Sequence, residues 1–223
     1  MNNWLDTMTL SSISGRSTDP VRPEPFRPMN FEHWRYAARG WLFHFLGKTD
    51  LAFEAYVAAF HHAPDASAAR NLGYLAARAE RWRESIHWFR EAVRLQPEDA
   101  ETRFNLGYSL DQDGDPAGAA EAFAEAVRIR PNLDRAWYGL GMARAAQGRH
   151  GEAAAALEEA ARLQPMAGEV WYQLGMAQHH ALNPDRVKGV VEHLRGFDPR
   201  RSNQLIRDTE RGDLRHLVQD LPF

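Results

Sequence analysis

Cysteine is absent from this 223-residue chain. Its absence excludes disulfides, cysteine-ligated zinc, iron–sulfur ligation and thiol catalysis at once, and fits a reducing compartment. No run of about 18 apolar residues exists, so no membrane-spanning helix is expected. No excess of positive charge exists either. Lys and Arg total 27 against 30 acids, a formal net charge of −3, whereas a nucleic-acid binder needs a basic face. Lysine is nearly missing, since 25 of the 27 basic residues are arginine. The opening Met1-Asn2-Asn3-Trp4-Leu5-Asp6 has neither a basic start nor an apolar core, so no secretory signal is expected and a cytoplasmic location is. Phosphate loops, dinucleotide glycine fingerprints and the Gly-x-Ser-x-Gly elbow are also missing. The pairs His61-His62 and His179-His180 point about 100° apart on a helix, a poor chelate. No cofactor, metal site or catalytic residue is expected.

What is present is a period. Pro97, Pro131, Pro165 and Pro199 stand 34 apart, and Pro64 stands 33 before Pro97. Gly40, Gly73, Gly107, Gly141 and Gly175 keep the same register. The surrounding fragments agree: Asn71-Leu72-Gly73-Tyr74, Asn105-Leu106-Gly107-Tyr108, Gly139-Leu140-Gly141 and Gln173-Leu174-Gly175. Two residue types sharing one period mark a repeat architecture.

The pattern resembles the tetratricopeptide repeat family over residues 33–201, 169 of 223. That family places Leu-Gly at repeat positions 7 and 8, a small residue at 20, an aromatic at 24, Ala at 27 and Pro at 32. The resemblance implies an all-α, right-handed superhelical solenoid of five helix-turn-helix repeats, at about 33–65, 66–99, 100–133, 134–167 and 168–201, within a unit spanning 31–201. Glycine at 8 and a small residue at 20 let the two helices approach closely, and proline at 32 stops helix B. Asp115-Pro116 and Asn183-Pro184 read as N-caps followed by first-turn prolines, and Asn30 reads as the cap of the first helix. The fifth repeat departs from the pattern: Val187 and Leu194 stand where small residues belong, and Gly189 and Gly196 weaken its helix B, so looser packing is expected. Residues 202–223 are expected to form a capping helix, Ser202 to Val218, and a tail.

The resemblance puts helices A on a concave face, with positions 2, 5, 9, 12 and 13 lining it. The candidate partner-binding residues are Trp34 and Trp41 in repeat 1, Arg70, Asn71, Tyr74 and Arg78 in repeat 2, Phe104, Asn105 and Tyr108 in repeat 3, Arg135, Tyr138 and Met142 in repeat 4, and Tyr172 and Met176 in repeat 5. Aromatics give contact area and methionine adapts. Asn71 and Asn105, both at position 6, carry amides able to donate to and accept from a peptide backbone. Arg70, Asn105 and Arg135 also match three of five positions of a carboxylate clamp found in one subfamily, while Tyr74 and Gly139 break it.

The expected function is a noncatalytic protein-interaction scaffold, adaptor or assembly factor, binding a peptide segment or helix of another protein in the groove. The alternative is a dedicated bacterial chaperone for a secreted or unassembled client; abundant arginine and alanine suit a GC-rich bacterial genome. The segments outside the repeats, 1–30 and 202–223, are too small for an active-site domain. Residues 1–30 read as an extended or disordered arm. It holds Pro20, Pro23, Pro25 and Pro28, with Trp4, Leu5, Met8 and Phe26 as anchors. A second partner contact is expected there, on the premise that a complete array has no unfilled site of its own.

Overall fold

The computed structural model describes residues 31–218. Residues 1–30, and with them the Asn30 cap and the arm, lie outside the described residues. Five antiparallel helix pairs follow one another: α1 (Phe31–Phe45) and α2 (Thr49–His62), α3 (Ala66–Arg78) and α4 (Trp82–Leu95), α5 (Ala100–Gln112) and α6 (Pro116–Ile129), α7 (Asp134–Ala146) and α8 (His150–Leu163), α9 (Gly168–His180) and α10 (Pro184–Arg195). Each helix packs on its neighbours in sequence, and each A helix also touches the next A helix from α3 onward. The result is an all-α solenoid of stacked helical hairpins.

Steric fit at the glycines explains the period. A methyl group added at Gly73 would lie 2.7 Å from the Phe89 ring, and one at Gly107 would lie 2.8 Å from the Phe123 ring. Position 8 therefore abuts the position-24 ring of its own repeat, and no side chain fits between them. Phe123 is held on both sides, since Gly139 of the next repeat meets the same ring. Small residues at position 20 complete the crossing: Ala52, Ala119 and Ala153 are fully buried, and Ser85 donates from Oγ to the Gly73 carbonyl at 2.9 Å.

The prolines do more than stop helix B. Pro97, Pro131 and Pro165 each offer a carbonyl that a position-4 side chain reaches: Arg103 Nε donates at 2.8 Å, Trp137 Nε1 at 2.8 Å and Trp171 Nε1 at 2.9 Å. A large donor at position 4 thus satisfies a backbone acceptor stranded at each junction. Aspartates cap α3, α5, α6 and α11 (Pro199–Asp208): Asp65 accepts from Ser67 and Ala68, Asp99 from Glu101 and Thr102, Asp115 from Gly118, and Asp198 from Arg201. Asn183 stands at the N-cap position of α10 with Pro184 in the first turn, as expected, but its side chain accepts no capping hydrogen bond; its amide donates to Gln178 Oε1 at 2.9 Å. Lys48 and Lys188 are both exposed, the first in the α1–α2 turn and the second on α10.

The C-terminal end differs from expectation in two ways. The capping segment is not one helix from 202 to 218. It is α11, begun early by Asp198 and Pro199, then a turn with Glu210 at φ 52°, then a 3₁₀ segment at Gly212–Leu217. Pro199 keeps the 34-residue period but serves as the first-turn proline of α11, because Gly196 already caps α10. Nor is the last repeat loose. Val187, Val191 and Leu194 are fully buried, their bulk filling the seam. Val191 is shorter than the Tyr, Phe or Leu at position 24 elsewhere, and Leu205 of α11 takes their place against Gly175. Helix α11 packs on α10 and α9 as a sixth A helix would.

Candidate functional site

Repeats 2 and 3 build a cup on the A-helix face. A cavity of about 360 Å³ is lined by Tyr74, Arg78, Trp82, Phe104, Asn105 and Tyr108, with Phe89 among the side chains at its base. Helices α3 and α5 present position 9 side by side, so Tyr74 and Tyr108 stand 45% and 46% exposed. Trp82 meets Tyr108 edge-on, with centroids 6.0 Å apart. The Arg78 guanidinium lies 6.0 Å from the Tyr74 ring centroid. Asn71 and Asn105 are partly exposed, and their side-chain amides make no hydrogen bond among the described residues. The cup thus offers ring faces, a cation and the open amide of Asn105, with Asn71 one repeat before it on α3. Trp82 was missed in sequence because it sits at repeat position 17, the first residue of a B helix, where the family pattern assigns no groove role.

The aromatic surface continues into repeat 1. Trp34 and Trp41 are 58% and 64% exposed, and Trp41 stacks on Phe45 at 5.8 Å. His44 links this helix to the cup, 5.8 Å from Tyr74. The premise that the array leaves no unfilled site fails here, since α1 keeps large rings open to solvent.

The remaining candidates sit in a different setting. Arg70 pairs with Asp99 at 2.9 Å. Burial alone would raise the Asp99 carboxyl, but hydrogen bonds from Thr102 and Arg70 outweigh it and hold that group below its ordinary range. Arg135 pairs with Glu101, which Arg130 also engages, and its guanidinium lies 4.7 Å from the Phe104 centroid. Both arginines of the partial carboxylate clamp therefore already hold acids. Arg135 and Tyr138 line a second hollow of about 290 Å³ with Gln164 and Glu169. Tyr172 donates to Asp208 at 2.6 Å, and the Arg201 guanidinium, 5.5 Å from its centroid, pairs with Glu169. Burial raises the Tyr138 hydroxyl, with the Glu169 charge adding to it. Met142 is half-buried, and Met176 packs against the core of the last repeats. Trp34, Trp41, Asn71, Tyr74, Arg78, Phe104, Asn105 and Tyr108 thus share one aromatic half, while Arg135, Tyr138 and Tyr172 belong to an ion-paired half.

No group of three or more His, Asp or Glu side chains among the described residues is placed to hold a metal ion. No described helix is long and apolar enough to cross a membrane.

A family model described as tetratricopeptide repeat matches residues 37–100, 72–134, 104–165 and 138–186. No curated protein matches the chain in sequence. Among solved structures, MamA is similar at a TM-score of 0.69 and 18% identity, covering 87% of this chain and 100% of its own. YrrB, described as a TPR protein with an unusual peptide-binding site, aligns at 0.70 and 20% identity, covering 79% and 90%. PilF of Pseudomonas aeruginosa aligns at 0.61 and 17%, covering 83% and 91%. At these identities the likeness concerns the fold.

Proposed function

Because the chain belongs to the tetratricopeptide repeat family, whose solenoids mediate protein–protein interaction, we propose that it is a noncatalytic scaffold gripping an extended segment of a partner protein across α3 and α5. One observation carries this reading. Two open asparagine amides stand one repeat apart, that of Asn105 in the lining of an aromatic cup with room for an apolar side chain. A peptide backbone supplies what the amides lack, alternating donors and acceptors. The peptide-binding site in the description of YrrB supports the class of ligand. The ion-paired half over α7 and α9 has its charges mutually satisfied and gives a segment less to bind.

The test is the double substitution Tyr74→Ala and Tyr108→Ala. Truncating interface anchors commonly costs about 2 kcal/mol or more each. Both rings are exposed, so helical circular dichroism stays unchanged while affinity for a partner isolated from the native host falls. One stoichiometric partner is expected in that isolation; many unfolded clients would make the protein a chaperone instead. An affinity that does not move would place binding away from the cup.

A further inference from the structure

The cup between α3 and α5 holds one charge. Its lining brings the rings of Tyr74, Trp82, Phe104 and Tyr108 together with Arg78 and the Asn105 amide, and includes no carboxylate. Arg78 is exposed, and its guanidinium lies over the Tyr74 ring, 6.0 Å from the centroid. Among the described residues no carboxylate or carbonyl accepts from its N–H donors. Glu80, two residues on, and Asp111, on α5, are both exposed and neither pairs with it; Asp111 accepts from the Gln112 amide at 3.4 Å. The neighbouring arginines around the groove are committed. Arg70 holds Asp99, Arg135 holds Glu101 and Arg201 holds Glu169. Arginine at position 13 is also peculiar to repeat 2, since the other repeats carry Phe45, Gln112, Ala146 and His180 there.

We propose that the partner segment carries an aromatic side chain with an Asp or Glu two residues from it, the ring filling the cup and the carboxylate pairing with Arg78. The proposal rests on the peptide reading of the cup and gives that peptide a sequence. A ring suits a cup of rings, because aromatic faces and edges attract one another in edge-on and offset contacts. Trp82 and Tyr108 already meet edge-on. An arginine lying over a ring keeps the edge of its planar fork free, and that edge matches a carboxylate. The spacing follows from the backbone. Side chains of an extended chain alternate, so residues two apart share a face and stand about 6.7 Å from each other. That step is close to the 6.0 Å between the Arg78 guanidinium and the Tyr74 ring that lines the cup. A residue next to the aromatic one faces away from both. The Asn105 amide serves the backbone of the same segment. Four rings alone would suit a cation, but Arg78 in the same lining repels one. The carboxylate belongs to a side chain within the segment, since Arg70 and Arg135, which would hold a chain end, are already paired.

The test is selection of a random-peptide phage library on the immobilised full chain, the peptides being fused at their C-terminal ends so that none offers a terminal carboxylate. Peptides retained by the unsubstituted chain and not by the chain bearing Tyr74→Ala and Tyr108→Ala are the ligands of the cup. The expected consensus is an aromatic residue with Asp or Glu two positions away. The leading peptide is then synthesised with both ends capped and its affinity read by fluorescence anisotropy. Replacing its acid by the amide should weaken binding about two- to fivefold, the range of an exposed ion pair, and moving the acid to an adjacent position should weaken it as much. In the Arg78→Gln chain, with helical circular dichroism unchanged, neither alteration should have a further effect. Cup-dependent peptides with no acid preference, or an acid effect that persists in the Arg78→Gln chain, overturn the proposal and leave the peptide reading standing. Enrichment of lysine overturns it too, making the cup a cage for a cation. Peptides held equally by the Tyr74→Ala, Tyr108→Ala chain, or no retained peptides at all, overturn the peptide reading and the proposal with it.

Discussion

At the C-terminal end of the stack, α11 lays a fully buried Leu205 over Gly175, and the 3₁₀ segment adds Leu214 and Leu217 to the same core. Arg211 secures that segment by donating to the Pro184 carbonyl at 2.8 Å. At the N-terminal end, the corresponding stacking positions of α1 carry side chains that fold back on α1 itself, Arg35 pairing with Glu32 and Arg39 lying against the Tyr36 and Phe43 rings. In the interior repeats, position 3 is Ala68, Thr102, Ala136 or Val170 and position 7 is Leu72, Leu106, Leu140 or Leu174, all buried. In α1 these positions are Arg35 and Arg39, both exposed. One end closes by adding a truncated repeat. The other closes by placing charge where the next repeat would pack. Both meet the need of a linear array for a terminal unit that does not continue it.

The closed end should be the more sensitive to loss of bulk. Leu205→Ala removes the side chain that fills the space above Gly175 and should cost about 2–5 kcal/mol in denaturant unfolding. A cost no larger than that of a surface substitution would mean that α11 merely rests on the stack. The interior supplies the reference. Gly107→Leu, forced against Phe123, should cost about 1–3 kcal/mol or more, and an unchanged melting temperature would contradict the assigned register. Gly189→Ala should have the opposite sign. Its added methyl meets nothing within 4 Å on a helix, so a gain of about 1 kcal/mol is expected, and a loss would show that α10 is more tightly covered than its geometry implies.

A smaller effect belongs to the interior and is read by pH. Asp99 caps α5 and holds Arg70, and its folded carboxyl lies below the ordinary value of 3.8. A depressed carboxyl stabilises the fold above its unfolded pKa, and that contribution is lost as pH falls through the folded value. The stability of the wild-type chain should therefore drop below about pH 4, and Asp99→Asn, which keeps the cap, should drop less steeply over that window in acid titration of the melt. The smallest effect on folding belongs to the charged end. Arg35→Ala with Arg39→Leu gives α1 the stacking face of an interior helix, so the melt should hardly move while sedimentation shows concentration-dependent association. An association state unchanged from that of the unsubstituted chain would show that charge is not what closes this end.

Much of this was legible because glycine and proline report on backbone and close approach directly. Gly40, Gly73, Gly107, Gly141 and Gly175, with the prolines in the same register, mark each of the five helical hairpins in the sequence. The cap was misjudged for a local reason. Asp198-Pro199 is a strong helix start, and it outweighed the apolar pattern that suggested a start at Ser202; the chain then leaves the helix at Thr209 and turns at Glu210 before Gly212. Asn183-Pro184 marked the start of α10, although the Asn183 side chain makes no capping bond and its amide donates to Gln178. At the site, exposure of Tyr74 and Tyr108 followed from repeat position alone. The pairing of Arg70 and Arg135 with Asp99 and Glu101 did not, since those contacts cross from one repeat to the next and have no signature in a single repeat. The signal that would have found Trp82 is its place directly across the hairpin turn from Arg78.

The two lysines have a use that the arginines cannot share. Lys48 lies in the turn of the first repeat and Lys188 on the last B helix, both exposed, and the chain has no cysteine. Besides the α-amino group, amine-directed reagents therefore mark the first and last repeats and leave the three between them blank. The distance between those marks follows the curvature of the solenoid, so the chain carries a built-in caliper for any closing of its groove around a bound segment.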